Sequence, residues 1–191
     1  MVSVACAEGL RPTSERVRET VFDWLTHLFG TLEGVDVLDM FAGSGAMGLE
    51  AASRGADHVD WLDIYRPGIA GIRQVLARLG ADEHKKANVT DAFRFLQDAP
   101  RCYDLIFIDP PFGLDMQVKA ARAALDALKD EGLLYVESPA ELLRDQVLES
   151  LGVVRVRSGS AGAVRFELLA KAGSAMAAQA RPSKEEKRSR K

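Results

Sequence analysis

Asp109-Pro110-Pro111-Phe112 directly follows the apolar run Tyr103-Asp104-Leu105-Ile106-Phe107-Ile108. That run has strand character, so the motif falls at a strand end. A carboxylate at Asp109 can accept a hydrogen bond from an amine, and the Pro110 carbonyl can accept a second. An exocyclic amine of a nucleobase is a poor nucleophile because its lone pair is delocalised into the ring. Two acceptors fix such an amine so that the lone pair points at an electrophile. The prolines stiffen the turn through their fixed φ, and Phe112 offers a flat face on which an extruded base can stack. Methyl transfer from a sulfonium then needs little beyond alignment of nitrogen, carbon and sulfur, and no metal. Alone, Asp-Pro-Pro also has a second reading as only a rigid strand-to-loop turn.

A second cluster lies upstream. Asp39-Met40-Phe41-Ala42-Gly43-Ser44-Gly45 closes another short apolar run, and its glycines let the backbone turn sharply and approach a ligand. Asp63 ends the next strand-like segment, 24 residues after Asp39, where an acid can accept hydrogen bonds from both hydroxyls of a ribose. An adenosine-containing ligand at the carboxyl ends of the strands is the expectation. Gly43 to Gly48 also fits the G-x-G-x-x-G dinucleotide pattern, so NAD stays open on the loop alone. Asp39 and Phe41, just ahead of the glycines where a methyltransferase holds the methionine part of its cofactor, argue for the sulfonium donor.

These groups must be carried by alternating elements. Val17, Val21, Trp24, Leu25 and Leu28 recur at helical spacing within a predicted helix over 13–29, which Thr13 or Ser14 can cap. Strands are predicted at 35–41, 58–63, 85–89, 103–109 and 132–137. Helices are predicted at 46–54, 67–79, 91–97, 115–129 and 141–151. Such alternation means a doubly wound α/β fold with a mostly parallel sheet. No helix fits between 153–157 and 164–170, so those two strands are expected to close the sheet as an antiparallel hairpin. The expected organisation is a helical N-terminal segment over 1–34, one catalytic domain over 35–171 and a basic, disordered tail over 172–191.

The composition narrows the setting. At 191 residues and 47% hydrophobic, the chain can bury a sizeable core. No run is long enough to span a bilayer, and Met1 to Gly9 lacks the pattern of a secretory signal. Cys6 and Cys102 make no disulfide framework, so a cytoplasmic protein with free thiols, monomeric by default, is expected. The net charge is −3, but residues 181–191 carry a net +4, which leaves −7 for the rest. A nucleic-acid contact must therefore be a local basic patch or the tail. His27, His58 and His84 show no ligand spacing. Trp24 and Trp61 read as core residues.

Four segments occur in order: Arg11-Pro-Thr-Ser-Glu-Arg-Val-Arg-Glu19, Asp39-Met-Phe-Ala-Gly-Ser-Gly45, Asp109-Pro-Pro-Phe112 and Tyr135-Val-Glu-Ser138. In order and spacing they resemble the RsmD family, bacterial methyltransferases of 16S ribosomal RNA, over roughly residues 10–171. The glycine loop and Asp-Pro-Pro-Phe are shared by many methyltransferases, and the Arg-Pro-Thr segment is much narrower. The resemblance implies a Rossmann-like methyltransferase fold, seven-stranded and mostly parallel, with S-adenosylmethionine as cofactor. It implies methylation of the exocyclic N2 of a guanine, the family target being guanine 966, on 16S RNA or a small-subunit assembly intermediate. Phe41, Ala42, Gly43, Ser44 and Gly45 would hold the methionine end with Asp39 nearby, Asp63 the ribose, and Asp91 and Ala92 the adenine. Asp109, Pro110, Pro111 and Phe112 would hold the guanine, and Arg11, Thr13, Arg16 and Arg18 would contact RNA.

The chain departs from the family in two places. Family members usually carry a basic segment ahead of the Arg-Pro-Thr motif, whereas residues 1–9 are uncharged apart from Glu8; the basic tail is a candidate substitute. Tyr65 stands where the family often has a second acid. Three other readings remain: a methyltransferase for another RNA or DNA amine, an NAD-dependent oxidoreductase with no visible proton donor, and a non-catalytic binding member of the family.

Overall fold

A computed structural model of the chain describes residues 15–81, 83–97, 103–111, 116–139 and 143–180. The chain divides into two compact units, 1–95 and 96–191. The boundary falls inside the span expected to be a single domain. The expected seven-stranded, mostly parallel sheet with a C-terminal antiparallel hairpin is present.

The first unit opens with α1 (Glu15–Phe29), which buries Val17, Val21, Phe22, Leu25 and Leu28. This is the apolar stripe read from the sequence, with Phe22 in place of the partly exposed Trp24. Burying five such side chains contributes about 7–15 kcal/mol before entropy is counted, so tertiary packing and not propensity holds this helix. Its expected cap, Thr13 or Ser14, lies outside the described residues.

Next come β1 (Asp36–Asp39), α2 (Ala46–Ser53), β2 (His58–Asp63), α3 (Arg66–Leu79), β3 (Lys85–Val89) and α4 (Ala92–Gln97). β2 pairs in parallel with β1 on one side and β3 on the other. Val37, Leu38, Val59, Trp61 and Leu62 are fully buried, as parallel strands covered on both faces require. Pro67 sits in the first turn of α3, and Gly80 ends that helix in the left-handed region at φ 62°, the usual arrangement at helix ends.

The second unit contains β4 (Tyr103–Ile108), α5 (Met116–Leu125), β5 (Leu128–Pro139), α6 (Asp145–Leu151), β6 (Val153–Ala161), β7 (Val164–Lys171) and α7 (Ala175–Ala178). β4 and β5 are parallel; β5–β7 and β7–β6 are antiparallel. Three segments differ from the sequence reading. Leu128 and Lys129, expected to finish a helix, belong to β5 together with Asp130 and Glu131, because Leu128 pairs with Tyr103 ahead of a register shift. The predicted linker 158–162 is mostly strand, since Ser158 to Ala161 continue the ladder to β7. That leaves a two-residue turn in which Gly162 takes φ 62°. Disorder from Ala172 is not what is found up to Ala180: Ser174 caps α7 by accepting from Ala177 N at 3.0 Å, and Arg157 Nη1 donates to Gln179 O at 2.7 Å.

Arg155 ties α6 to the hairpin, meeting Glu167 Oε1 at 2.5 Å and Asp145 Oδ1 at 2.9 Å. Glu167 is fully buried, and burial raises its pKa against the opposing pull of Arg155. Removing one partner of such a buried pair typically costs about 3–5 kcal/mol. No helix among the described residues is long and apolar enough to cross a membrane.

Candidate functional site

In the first unit the glycine loop is held by four hydrogen-bonding groups. Asp39 ends β1 and is 5% exposed. Its Oδ2 accepts from Gly48 N at 3.1 Å, an N–H in the first turn of α2. That helix has Gly45 as its N-cap, with φ 78° and no side-chain cap. A carboxylate from the preceding strand thus satisfies one of the orphan donors of the helix start. Asp63 ends β2 and uses both oxygens: Oδ2 accepts from Gly43 N and Oδ1 from Tyr65 N, each at 2.7 Å. Ala42 N donates to Leu62 O at 2.9 Å. Trp61, buried in β2, aims Nε1 at Gly45 O from 3.4 Å.

Two glycines are required by space. A Cβ at Gly45 would stand 2.6 Å from Ile72 Cγ1, and one at Gly48 would run into Trp61 Nε1. Only a residue without a side chain lets the loop and α2 seat this closely on β2 and α3. Phe41 meets the Phe93 ring edge-on at 6.2 Å, and Phe93 lies on the first turn of α4. Asp91 caps that helix, accepting from Arg94 N at 2.9 Å; Ala92 beside it is buried. Within this unit, therefore, Asp39, Phe41, Ala42, Gly43, Gly45 and Asp63 are joined in one loop and its braces. Phe93 links that loop to Asp91 and Ala92. Ser44 is exposed.

The cluster suits an adenosine ligand with a charged tail. Each Asp63 oxygen engages one backbone N–H, and a carboxylate has about four acceptor positions, enough for ribose hydroxyls as well.

Burial is the main cause that pushes the Asp39 carboxyl up to about 7, with a smaller push from the Asp63 charge; the Gly48 N–H pulls the other way. Between the unfolded value of 3.8 and about 7, the folded chain holds a proton that the unfolded chain has lost. Asp39 therefore stabilises least at high pH, and its share of stability falls as pH rises from about 4 through 7. Melting temperatures between pH 4 and 8 should show Asp39→Asn gaining on the wild type as pH rises. A difference that does not change with pH would refute this.

In the second unit, Asp109, Pro110 and Pro111 follow β4 at once. Asp109 is half-buried, Pro110 buried and Pro111 exposed. β5 runs on to Pro139 while β4 stops at Ile108. Prolines have no N–H to give a ladder, so the motif itself ends the strand. Phe112 lies outside the described residues.

Among the expected RNA contacts, Arg11 and Thr13 lie outside the described residues. Arg16 is exposed in the first turn of α1. Arg18 stands 3.7 Å from Glu50, which also takes Arg54 at 2.7 Å, and Arg54 lies over the Phe22 ring. A partly exposed pair of this kind is worth about 0–1 kcal/mol, so it does not commit Arg18 to the protein interior.

Sequence reasoning missed Phe93 and the bracing role of Trp61, and it saw Gly48 only as the last glycine of the dinucleotide pattern. Trp61 was read correctly as core, but nothing in its spacing announced a bond to the loop. The histidines are not all scattered. His84 Nδ1 and His58 Nε2 are 2.7 Å apart, and His58 Nδ1 stands 3.0 Å from Asp36 Oδ1. Asp36 and His58 pair where β1 and β2 begin, the opposite end of those strands from the loop. With Asp57 they form the one group of potential metal ligands found among the described residues.

The family model described as conserved hypothetical protein 95 matches residues 2–169. The ribosomal RNA small subunit methyltransferase D of Escherichia coli (strain K12) is 38% identical over 135 residues, 70% of this chain. The matched stretch spans 66% of that relative's own length, just under two thirds. A solved Escherichia coli structure, yhhF, assigned as a candidate methyltransferase, aligns at TM-score 0.76 with 33% identity, covering 88% of this chain and 91% of its own. The magnesium protoporphyrin IX methyltransferase of Synechocystis PCC 6803, solved with bound SAM, aligns at TM-score 0.62 and 19% identity over 82% of this chain and 79% of its own. At that identity the likeness bears on the Rossmann-like fold alone.

Proposed function

The chain belongs to the RsmD family, and on that premise we propose that it transfers a methyl group from S-adenosylmethionine to the exocyclic N2 of a guanine in small-subunit ribosomal RNA. The observation that carries this reading is Asp109-Pro110-Pro111 at the end of β4, in a chain of this family. The substrate class follows the name of the Escherichia coli relative. The choice of guanine N2, with guanine 966 as the family target, follows the resemblance carried by the Arg11 to Glu19 segment.

S-adenosylmethionine supplies an activated methyl on a sulfonium. The chain's own residues do the rest. Asp63 accepts from the ribose hydroxyls, the loop from Phe41 to Gly45 with Asp39 accommodates the methionine end, and Asp91 and Ala92 lie by the adenine. Asp109 and the Pro110 carbonyl accept the two amine hydrogens and turn the nitrogen lone pair toward the methyl. Phe112 stacks on the base and Pro111 stiffens the turn between them. As the N–C bond forms and the C–S bond breaks, the amine gains positive charge. The Asp109 carboxylate stabilises that charge where it develops, and one amine proton then leaves. Arg11, Thr13, Arg16 and Arg18 contact the RNA backbone, a contribution that weakens with salt.

The test is incubation with radiolabelled S-adenosylmethionine and small ribosomal subunits, followed by nucleoside analysis. Label in N2-methylguanosine is the expected result. Label in another methylated nucleoside would move the assignment to a different amine, and cofactor binding without any label would favour a non-catalytic role.

A further inference from the structure

The Tyr135-Val136-Glu137-Ser138 end of β5 carries two buried titratable groups to which the scheme above gives no task. Tyr135 is fully buried and Glu137 is 7% exposed. The Tyr135 hydroxyl donates to Glu137 Oε1 at 2.6 Å. Strand register places this pair beside the Asp-Pro-Pro motif. Phe107 pairs with Tyr135 and Ile108 with Val136 across parallel β4 and β5, and the Phe107 and Tyr135 rings meet edge-on at 5.7 Å. Asp109 is the residue that follows the end of β4, and the next position along β5 is Glu137. Side chains alternate along a strand, so Glu137 shares the face of Tyr135. Burial, then the charges of Glu137 and Asp109, raise the Tyr135 hydroxyl well above its ordinary range. It therefore stays a donor, aimed at Glu137.

The chemistry of the bases gives this carboxylate a use. Guanine presents a ring N1–H donor next to its N2 amine. Adenine and cytosine instead present a ring nitrogen acceptor next to their amines. Asp109 and the Pro110 carbonyl can hold an amine of any of the three. A second carboxylate beside them attracts the guanine N1–H and repels the lone pair of the other two. Resting on the amino-methyltransferase reading above, we propose that Glu137, aimed by Tyr135, is the residue that selects guanine, by accepting its ring N1–H while Asp109 holds the neighbouring N2 amine.

The test uses small subunits reconstituted with 16S RNA that carries either guanine or 2-aminopurine at the methylated position. 2-Aminopurine keeps the C2 amine, but its N1 is an acceptor. Wild type should show a kcat/KM at least about 100-fold lower on 2-aminopurine, because a lost hydrogen bond to a charged group costs roughly 10- to 150-fold and the lone pair of N1 then faces Glu137. Glu137→Gln should lose about 30-fold or more on guanine, since a charged hydrogen bond is weakened. The same variant should narrow the preference to within about threefold, because an amide can donate to N1. Its cofactor affinity by calorimetry should be unchanged. Should Glu137→Gln not fold, Tyr135→Phe keeps shape and charge and should lower the guanine preference about tenfold through the lost aiming bond. Wild type that accepts both bases equally would overturn the proposal, as would a folded Glu137→Gln that keeps both rate and preference. Wild type that leaves guanine unmethylated removes the underlying reading, and this proposal with it.

Discussion

Asp109→Ala is expected to lower the rate of methyl transfer at least about a thousandfold while cofactor affinity stays within about tenfold. One hydrogen bond to a charged group is worth about 1.5–3 kcal/mol, or roughly 10- to 150-fold, and losing the alignment of a reacting atom costs about another 100-fold. The two losses arise together because the same carboxylate holds the amine and stabilises its developing charge. Cofactor affinity is largely spared because the contacts assigned to the cofactor fall to Asp39 to Gly45, Asp63, Asp91 and Ala92, and none of them to Asp109. Asp109→Asn keeps one acceptor oxygen and should lose less. Single-turnover rates with labelled donor, set beside calorimetric affinity, separate the two effects. A variant that methylates at wild-type rate would remove Asp109 from the chemistry.

Asp63→Ala is expected to weaken cofactor binding by about 100-fold or more. Its carboxylate holds Gly43 N and Tyr65 N at 2.7 Å each, and at about 1.5–3 kcal/mol apiece the loss is large even before any contact with a ribose. Both bonds are shaped into the loop before a ligand arrives, so removing them charges the ordering of Gly43 to the binding step. Asp63→Asn has one acceptor oxygen and an amide that opposes one of the two N–H donors, so it should fall between. Calorimetry of each variant reads this directly. Affinity within threefold of wild type for Asp63→Ala would show that the loop holds itself. The Asp39→Asn comparison across pH reports separately on the other acid of the loop.

Several features were legible because they depend on local pattern. The apolar run predicted β4 over 103–109 with the Asp-Pro-Pro motif at its end; the strand stops at Ile108, ahead of prolines that have no N–H to give a ladder. The glycines at 43 and 45 and the acid at 63 announced a ligand loop. The family followed from a short segment, Arg11 to Glu19, whose residue types are narrow in themselves. Local pattern was weaker where long-range pairing decided the outcome. Leu128 and Lys129 have the composition of a helix end, yet pairing of Leu128 with Tyr103 made them strand. Ser158 to Ala161 have the composition of a linker, yet pairing with β7 made them hairpin.

The amino-acid sequence by itself determined the alternating architecture, the two chemical motifs and the family, because periodicity, glycine, proline and residue type act through neighbours along the chain. Only the tertiary structure decided which side chains meet. It gave Asp63 to two backbone N–H groups, lent Asp39 as a cap to α2, set Trp61 and Phe93 against the glycine loop, and brought His58 to His84. It also joined Tyr135 to Glu137 in a buried pair next to the end of β4. Those partnerships depend on strand register and on how each helix seats against the sheet, and these are settled by the packing of the whole core rather than by any stretch of sequence within it.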